Sequence, residues 1–501
     1  MQHALWHRVY ITNQKDTARA RCRSFPALGH AQASVAGKGV RRMSVFSLSN
    51  LKKTWYYLQK NGIRNAVWAV LERIGQEQEV YTWQEPDEKT LSFQREHSAS
   101  LRISIVVPAY RTKKEHLEAM LNSVSRQSYP HWELIVADAG GTAESVQAWA
   151  KKNGICLREA ADASNLAEWK DQSIVLSPLS ENKGISANTN AGIELAAGDA
   201  VGLLDHDDLL TANALWEMAD CLEKEKKRGK QKLVLFSDED KCDGAASRFY
   251  EPNFKPDFDG ELLLTNNYIC HFTVIETAFL KELKLRSGFD GAQDYDLMLR
   301  AYAAGGQFVH VPKVLYHWRC HEASTASNPQ SKRYAYEAGQ RALEDYCLRK
   351  GWKATVSGLK HLGFYREDYE DSVFCQRPEI GIWAKPLPGG RDILGIRHPK
   401  GFLVSGLYEN DGSMRYAGLR KGYSGPMHRA ALQQSAPAAD LRSMEVCSAL
   451  KERYAQTIAE LKEACQGLPT AAQEKKILQK SMEFCKEATA AGYGILWDPQ
   501  A

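Results

Sequence analysis

The stretch Val201-Gly202-Leu203-Leu204-Asp205-His206-Asp207-Asp208 decides how the rest of this chain reads. A short apolar run that breaks directly into acids is a buried strand ending at a polar edge. Asp205 and Asp207 stand two residues apart at that tip, and therefore on the same side. Two close carboxylates repel unless a cation neutralises them, so the pair is a candidate site for a divalent ion with oxygen ligands. Such a pair on a solvated loop would mean nothing. Its position straight behind a buried strand favours the metal reading.

Working outward, three more apolar runs behave alike. Ile103–Val107 is stopped by Pro108, Trp132–Val136 ends at Asp138-Ala139-Gly140-Gly141, and Lys232–Phe236 ends in Ser237-Asp238-Glu239-Asp240. Helical periods lie between them, through Leu117, Met120, Leu121 and Val124, near 142–152, and from Ile185 to Ala197 before Gly198. Strands alternating with helices predict an α/β fold over roughly 100–365, with ligands bound at the strand carboxyl ends. Asp138 could there accept a hydrogen bond from a base or ribose; equally, it could cap the following helix. No GxxxxGK[ST] and no GxGxxG follows the first strand, so P-loop and dinucleotide readings lack footing. In Gly291-Ala292-Gln293-Asp294-Tyr295-Asp296, before the helical run 297–304, Asp294 reads as a helix cap or as a general base aimed into the cleft.

The remainder of the 501 residues divides into three parts. Residues 1–42 carry eight Arg and Lys against the single acid Asp16, and read as a disordered basic leader, with Met43 as an alternative start. Residues 43–99 read as amphipathic helices and a linker. In the 50–74 stretch, Leu51, Trp55, Leu58, Ile63, Val67, Val70 and Ile74 form a stripe among basic residues, which either packs on a neighbouring domain or lies on an anionic membrane. Residues 366–501 read as an α+β accessory region with a strong helix over 440–465. Hydrophobic residues at 44% and charged residues at 25% exclude bulk disorder, and 65 basic against 61 acidic residues give no electrostatic case for nucleic acid. Eleven cysteines without a CxxC pair imply reduced thiols and a cytoplasmic address, at the cytoplasmic face of the inner membrane if the 50–74 stripe binds lipid.

The order Ile103–Tyr110, Trp132–Asp138, Asn182-Lys183-Gly184-Ile185-Ser186, Leu203–Leu209, Asn267-Tyr268, GAQDYDLMLR (291–300) and Val314–Arg319 resembles inverting family-2 glycosyltransferases with the GT-A fold. The likeness is greatest to bacterial polysaccharide and O-antigen enzymes, rhamnosyltransferase-like members included. It implies a Rossmann-like nucleotide-diphospho-sugar transferase domain with a mixed sheet. Pro108, Tyr110, Asp138, Asn182 and Gly184 would then face the nucleotide. Asp205, Asp207 and His317 would hold Mg²⁺ or Mn²⁺, and Asp294 would be the base. Asp238, Asp240, Asn267 and His271 would border the donor sugar or the acceptor. The partners implied are a nucleotide-sugar donor and a glycan or lipid-linked glycan acceptor. Residues 406–418 and 482–501 faintly resemble the later part of a second transferase unit, without its metal motif. Two other readings stay open: a non-catalytic sugar-nucleotide-binding partner of a glycan-assembly complex, and a sugar nucleotidyltransferase. The latter would need a glycine-rich basic loop where Ala109-Tyr110-Arg111-Thr112 stands.

Overall fold

The computed structural model describes residues 81–160, 169–320, 333–358, 363–370, 372–384, 406–407, 444–464, 480 and 483–497. The leader over 1–42, the stripe over 50–74 and positions 408–418 lie outside the described residues. Ten strands build the main sheet: β1 Ile103–Ala109, β2 Trp132–Asp138, β3 Cys156–Glu159, β4 Ser173–Pro178, β5 Ala200–Leu203, β6 Leu209–Leu210, β7 Leu233–Cys242, β8 Phe249–Asn253, β9 Thr273–Glu276 and β10 Gln307–Arg319. Their order is β3-β4-β2-β1-β5-β9-β7-β10-β6, with β8 added on β7.

Direction matters more than order here. Strands β3, β4, β2, β1 and β5 run parallel, and β9 is antiparallel to both β5 and β7. Two reversals restore the sense, so β7, and β10 parallel to it, point the same way as β5. The carboxyl ends of β1, β2, β5, β7 and β10 therefore meet at one edge, together with the entry to β9. That edge carries Tyr110, Asp138, Asp205, Asp240, His317 and His271.

The central strands are buried on both faces, as their unbroken apolar runs require. Val106, Ile135, Val201 and Val234 pack on one side with the helix Gln293–Ala303, whereas Ile105, Val107, Leu134 and Leu235 pack on the other with Lys114–Ser125 and Ala214–Lys227. Alternate residues of one strand thus enter two cores. In this sandwich Glu133 is 1% exposed and is kept by Arg158 at 2.6 Å, the Ser104 hydroxyl at 2.7 Å and the Ala197 N–H. A buried charge persists only with such partners.

Three expectations are corrected. Residues 88–96, read as linker, form a helix capped by Asp87; its Gln94 is buried, accepts from the Ser128 hydroxyl at 2.7 Å and contacts Glu217. Polar anchoring replaced the apolar stripe that would have made it legible. Past 365, the hairpin β11 Ala354–Gly358 with β12 Tyr365–Tyr369 spans the expected boundary, and Arg377 reaches back to pair both guanidinium nitrogens with Glu261, at 2.6 and 2.8 Å. The single helix expected over 440–465 is a strand, Met444–Val446, followed by helices Ser448–Arg453 and Ala455–Ala464. That strand joins a four-stranded sheet with Ile380–Ala384, Gly406–Leu407 and Gly494–Trp497.

Candidate active site

The turn after β5 is tied down from β10. Arg319 donates its backbone N–H to Asp208 Oδ1 at 2.7 Å and its Nε to the Asp207 carbonyl at 2.5 Å, and the Tyr316 hydroxyl donates to Asp208 Oδ2 at 2.5 Å. Asp208 is 1% exposed. Burial drives its carboxyl well above the usual carboxylate range, and the charges of Asp207 and Asp205 add to the rise. The third acid of the motif is thus a structural post, which leaves Asp205, with 43% of its side chain exposed, facing the cleft.

Opposite Asp205 stands His271, its Nε2 3.8 Å from Asp205 Oδ2 and its Nδ1 3.2 Å from Glu239 Oε2. The imidazole stacks on Tyr316 with ring centroids 4.7 Å apart. Burial opposes a charged ring here, but Cys270 and Glu239 beside it outweigh that and raise His271 well above its ordinary value. Ligand atoms of Asp205, Asp208 and His271 lie within 4.8 Å of one another, as do those of Glu239, Cys270 and His271. Lys255, 0% exposed, donates Nζ to the carbonyls of Cys270 and His271 and lies 3.6 Å from Glu239, so it fixes the segment that carries the imidazole.

Asp238 and Asp240, expected on the sugar side, are corrected by the alternation of β7. Asp238 is 0% exposed and accepts from Lys255 N–H and His310 Nε2, both at 2.8 Å. Asp240, also 0% exposed, accepts from Tyr81 O–H at 2.7 Å and from His317 Nδ1 at 2.5 Å. The residue between them, Glu239, is the one that reaches His271. His317 is paired with Asp240 across β7 and β10, while its neighbour Tyr316 pairs with Glu239. His317 therefore belongs to a different cluster from His271. Its Nε2 is buried and has no hydrogen-bond partner among the described residues.

Asp294 lies in the first turn of the helix Gln293–Ala303, whose N-cap position is Ala292, so the cap reading is excluded. Its Oδ2 accepts from Asn267 Nδ2 at 2.8 Å. Burial pushes the carboxyl up, while the charge of His271 and hydrogen bonds from the Tyr295 N–H and Asn267 pull it down; the charge of Asp205 adds to the rise. Asp294, Asn267, His271 and Asp205 thus share one electrostatic neighbourhood. Asp296, two residues on, is 1% exposed and is held by Arg286 and Arg300, which removes it as an alternative base.

On the opposite flank, the Asp138 carboxylate accepts from the N–H groups of Gly140, Thr142 and Ala143, at the entry to the helix Ala143–Asn153. Tyr110, 39% exposed, lies against Gly140, where a Cβ would meet its ring at 3.8 Å, and Arg111 covers the ring at 5.0 Å. Pro108 sits in β1 beside Ala137. Asn182 Oδ1 accepts from the Gly184 N–H and from Asn188. Gly184 has φ +94°, and a Cβ there would come 2.3 Å from Asp290 Oδ2. Asn182 and Gly184 therefore shape the loop that leads into the helix Ile185–Leu195.

An α/β sheet that gathers acids and imidazoles at its carboxyl edge belongs to the class of folds that bind ligands at strand ends. Residues 104–283 match the model of Glycosyl transferase family 2, and the chain carries a domain of that family. It is similar to the uncharacterized protein y4gI of Sinorhizobium fredii, 36% identical over 255 residues, which are 50% of this chain and 26% of that protein. The O-antigen biosynthesis protein RfbC of Myxococcus xanthus is 35% identical over 256 residues, 51% of this chain and 19% of that one. The amylovoran biosynthesis glycosyltransferase AmsB of Erwinia amylovora is 27% identical, with 43% and 70% covered. The chain spans about a quarter or less of the first two relatives. A solved structure of S. aureus TarS with UDP-GlcNAc aligns with a TM-score of 0.37 at 20% identity, covering 50% of this chain and 67% of that one. No helix among the described residues is long and apolar enough to cross a membrane.

Proposed function

We propose that this chain is a metal-dependent inverting glycosyltransferase that moves a sugar from a nucleotide-diphosphate donor to a hydroxyl of a growing, lipid-linked cell-surface polysaccharide. The observation that carries this reading is Asp294, a carboxylate lifted by burial, steered by Asn267 and in electrostatic reach of Asp205 and His271. A sugar hydroxyl is a weak nucleophile, and a positioned base with a raised pKa takes its proton as the new bond forms. A single base without a covalent nucleophile implies one displacement, hence inversion at the anomeric carbon. The relatives RfbC and AmsB, named for O-antigen and amylovoran biosynthesis, support a polysaccharide acceptor.

Tyr110 and Arg111, with Pro108 and Asp138, would receive the base and ribose, and the Asn182–Gly184 backbone the adjoining part of the nucleotide. Asp205 and Asp207 would hold Mg²⁺ or Mn²⁺. Hard carboxylates suit such an ion, and the imidazole whose ligand atom lies within 4.8 Å of those of Asp205 and Asp208 is that of His271, not His317. When bound, the ion would neutralise charge on the departing diphosphate. His271, held by Glu239, would line the sugar side.

A thermal-shift panel of UDP, dTDP and GDP with Mn²⁺ tests the reading, because a ligand that binds the folded state raises its melting temperature. One nucleotide should raise it in a metal-dependent way. No shift with any of the three would overturn the donor assignment.

A further inference from the structure

Among the described residues, His271 is the side chain common to the group it forms with Asp205 and Asp208 and the group it forms with Glu239 and Cys270. We propose that His271 Nε2 joins Asp205 in holding the divalent cation, and that Glu239 and Lys255 are positioning residues that aim the imidazole at it. This deepens the metal-dependent reading given above and rests on it.

The partners of each side chain decide which of them face an ion. Asp208 has both oxygens engaged, by the Arg319 N–H and the Tyr316 hydroxyl. Asn253 Nδ2 donates to Glu239 Oε1 at 3.1 Å, and Glu239 Oε2 faces His271 Nδ1 at 3.2 Å and Lys255 Nζ at 3.6 Å. Cys270 Sγ lies on the same edge of the ring, 3.5 Å from Nδ1. A carboxylate only accepts, so the proton between Glu239 and the neutral imidazole sits on Nδ1 and the lone pair lies on Nε2. That nitrogen faces Asp205 Oδ2 across 3.8 Å, too far for a hydrogen bond. Two electron-rich atoms so placed are relieved by a cation between them. Ligands about 2.1 Å from one ion can stand up to about 4 Å apart, so the gap suits a divalent ion. Imidazole ligands of metals commonly give their other N–H to a carboxylate, which fixes tautomer and direction. Lys255 completes the support. Its Nζ, buried with the rest of the side chain, donates to the carbonyls of Ile269 at 3.3 Å, Cys270 at 2.6 Å and His271, and so ties the segment that carries the ring to the acid that orients it. Tyr316 stacks on the ring's face. Because the donor's diphosphate carries the sugar as well as the ion, a ligand to the ion also borders the sugar side.

Isothermal titration of the full chain with Mn²⁺ alone tests this, in the wild type, His271→Asn, Glu239→Gln and Lys255→Met. Pulsed EPR of the bound Mn²⁺, which reads coupling to ring nitrogen, accompanies each titration. Asn is the replacement for His271 because the position has φ +53°, a region that Asn tolerates. The wild type should show ¹⁴N coupling, and His271→Asn should lose it and bind Mn²⁺ more weakly. Loss of an orienting partner weakens metal binding by about 10–100-fold, and Glu239→Gln and Lys255→Met should fall in that range. Glu239→Gln keeps the side chain's size, so it decides the positioning roles if Lys255→Met does not fold. Bound Mn²⁺ without ¹⁴N coupling in the wild type, or coupling that persists in His271→Asn, leaves the metal reading standing and removes His271 as a ligand. If His271→Asn behaves as expected but Glu239→Gln binds Mn²⁺ as the wild type does, the positioning roles fall. If the wild type itself takes up no Mn²⁺, the metal reading fails and the proposal with it.

Discussion

Asp294 is a half-buried acid and, in the proposed function, the base, and the two roles make separable predictions. Asp294→Asn keeps the shape and the Asn267 contact but cannot take a proton. Turnover should fall by about 10²–10⁴ while nucleotide affinity holds, since deprotonation belongs to the transition state. Titration calorimetry beside an acceptor-dependent assay reads both halves. Stability should move the other way. A carboxyl whose folded pKa is raised contributes stability below its unfolded pKa and loses it as pH rises through the folded value. The Asn variant should therefore melt above wild type at neutral pH, and the gap should close as pH falls into the carboxylate range. Asp296→Asn is the contrasting case. It breaks a buried pairing with Arg286 and Arg300, and should cost about 3 kcal/mol in a denaturant melt. The residue pattern showed Asp205 and Asp294 because each follows or begins a regular element. It hid Glu239, since neighbours in Ser237-Asp238-Glu239-Asp240 differ only in which face of β7 they take, and the end of a strand leaves that phase open.

At the scale of elements, loops at the sheet edge are held by backbone geometry as much as by side chains. Gly184 sits at a left-handed φ against Asp290, whose Oδ1 also accepts from the Ser186 N–H at 3.3 Å. Gly184→Ala should destabilise by about 1–3 kcal/mol, the scale for a side chain forced into that region. Adding Asp290→Ala should restore only part of the melting temperature, because it clears the clash and leaves the φ. Full recovery would mean that the clash alone mattered. Strands β1, β2, β5 and β7 were legible as apolar runs ending in polar residues. The long β10 was not, because its outer half mixes polar Gln307, His310 and Lys313 with half-buried Phe308 and Val309. A half-exposed strand of that kind loses the continuous apolar signal.

For the whole molecule, the described unit extends past the family domain at both ends. Arg377 and Glu261 form a buried bidentate pair, so Arg377→Ala leaves a carboxylate without its partner and should cost about 3 kcal/mol. A wild-type melting temperature in that variant would show that the segment after 365 is only loosely attached. Sequence alone placed the boundary at 365 because the strand–helix alternation ends there and residues 378–430 are rich in Gly and Pro, whereas the tie is made by one arginine. The most direct test of the central claim is release of nucleoside diphosphate by the full chain from UDP-, dTDP- and GDP-sugars, measured with Mn²⁺ and again with EDTA. The proposal predicts release from one nucleotide class, dependent on the metal, and abolished by Asp205→Asn. Release that persists in EDTA or in Asp205→Asn, or none from any class, would contradict it.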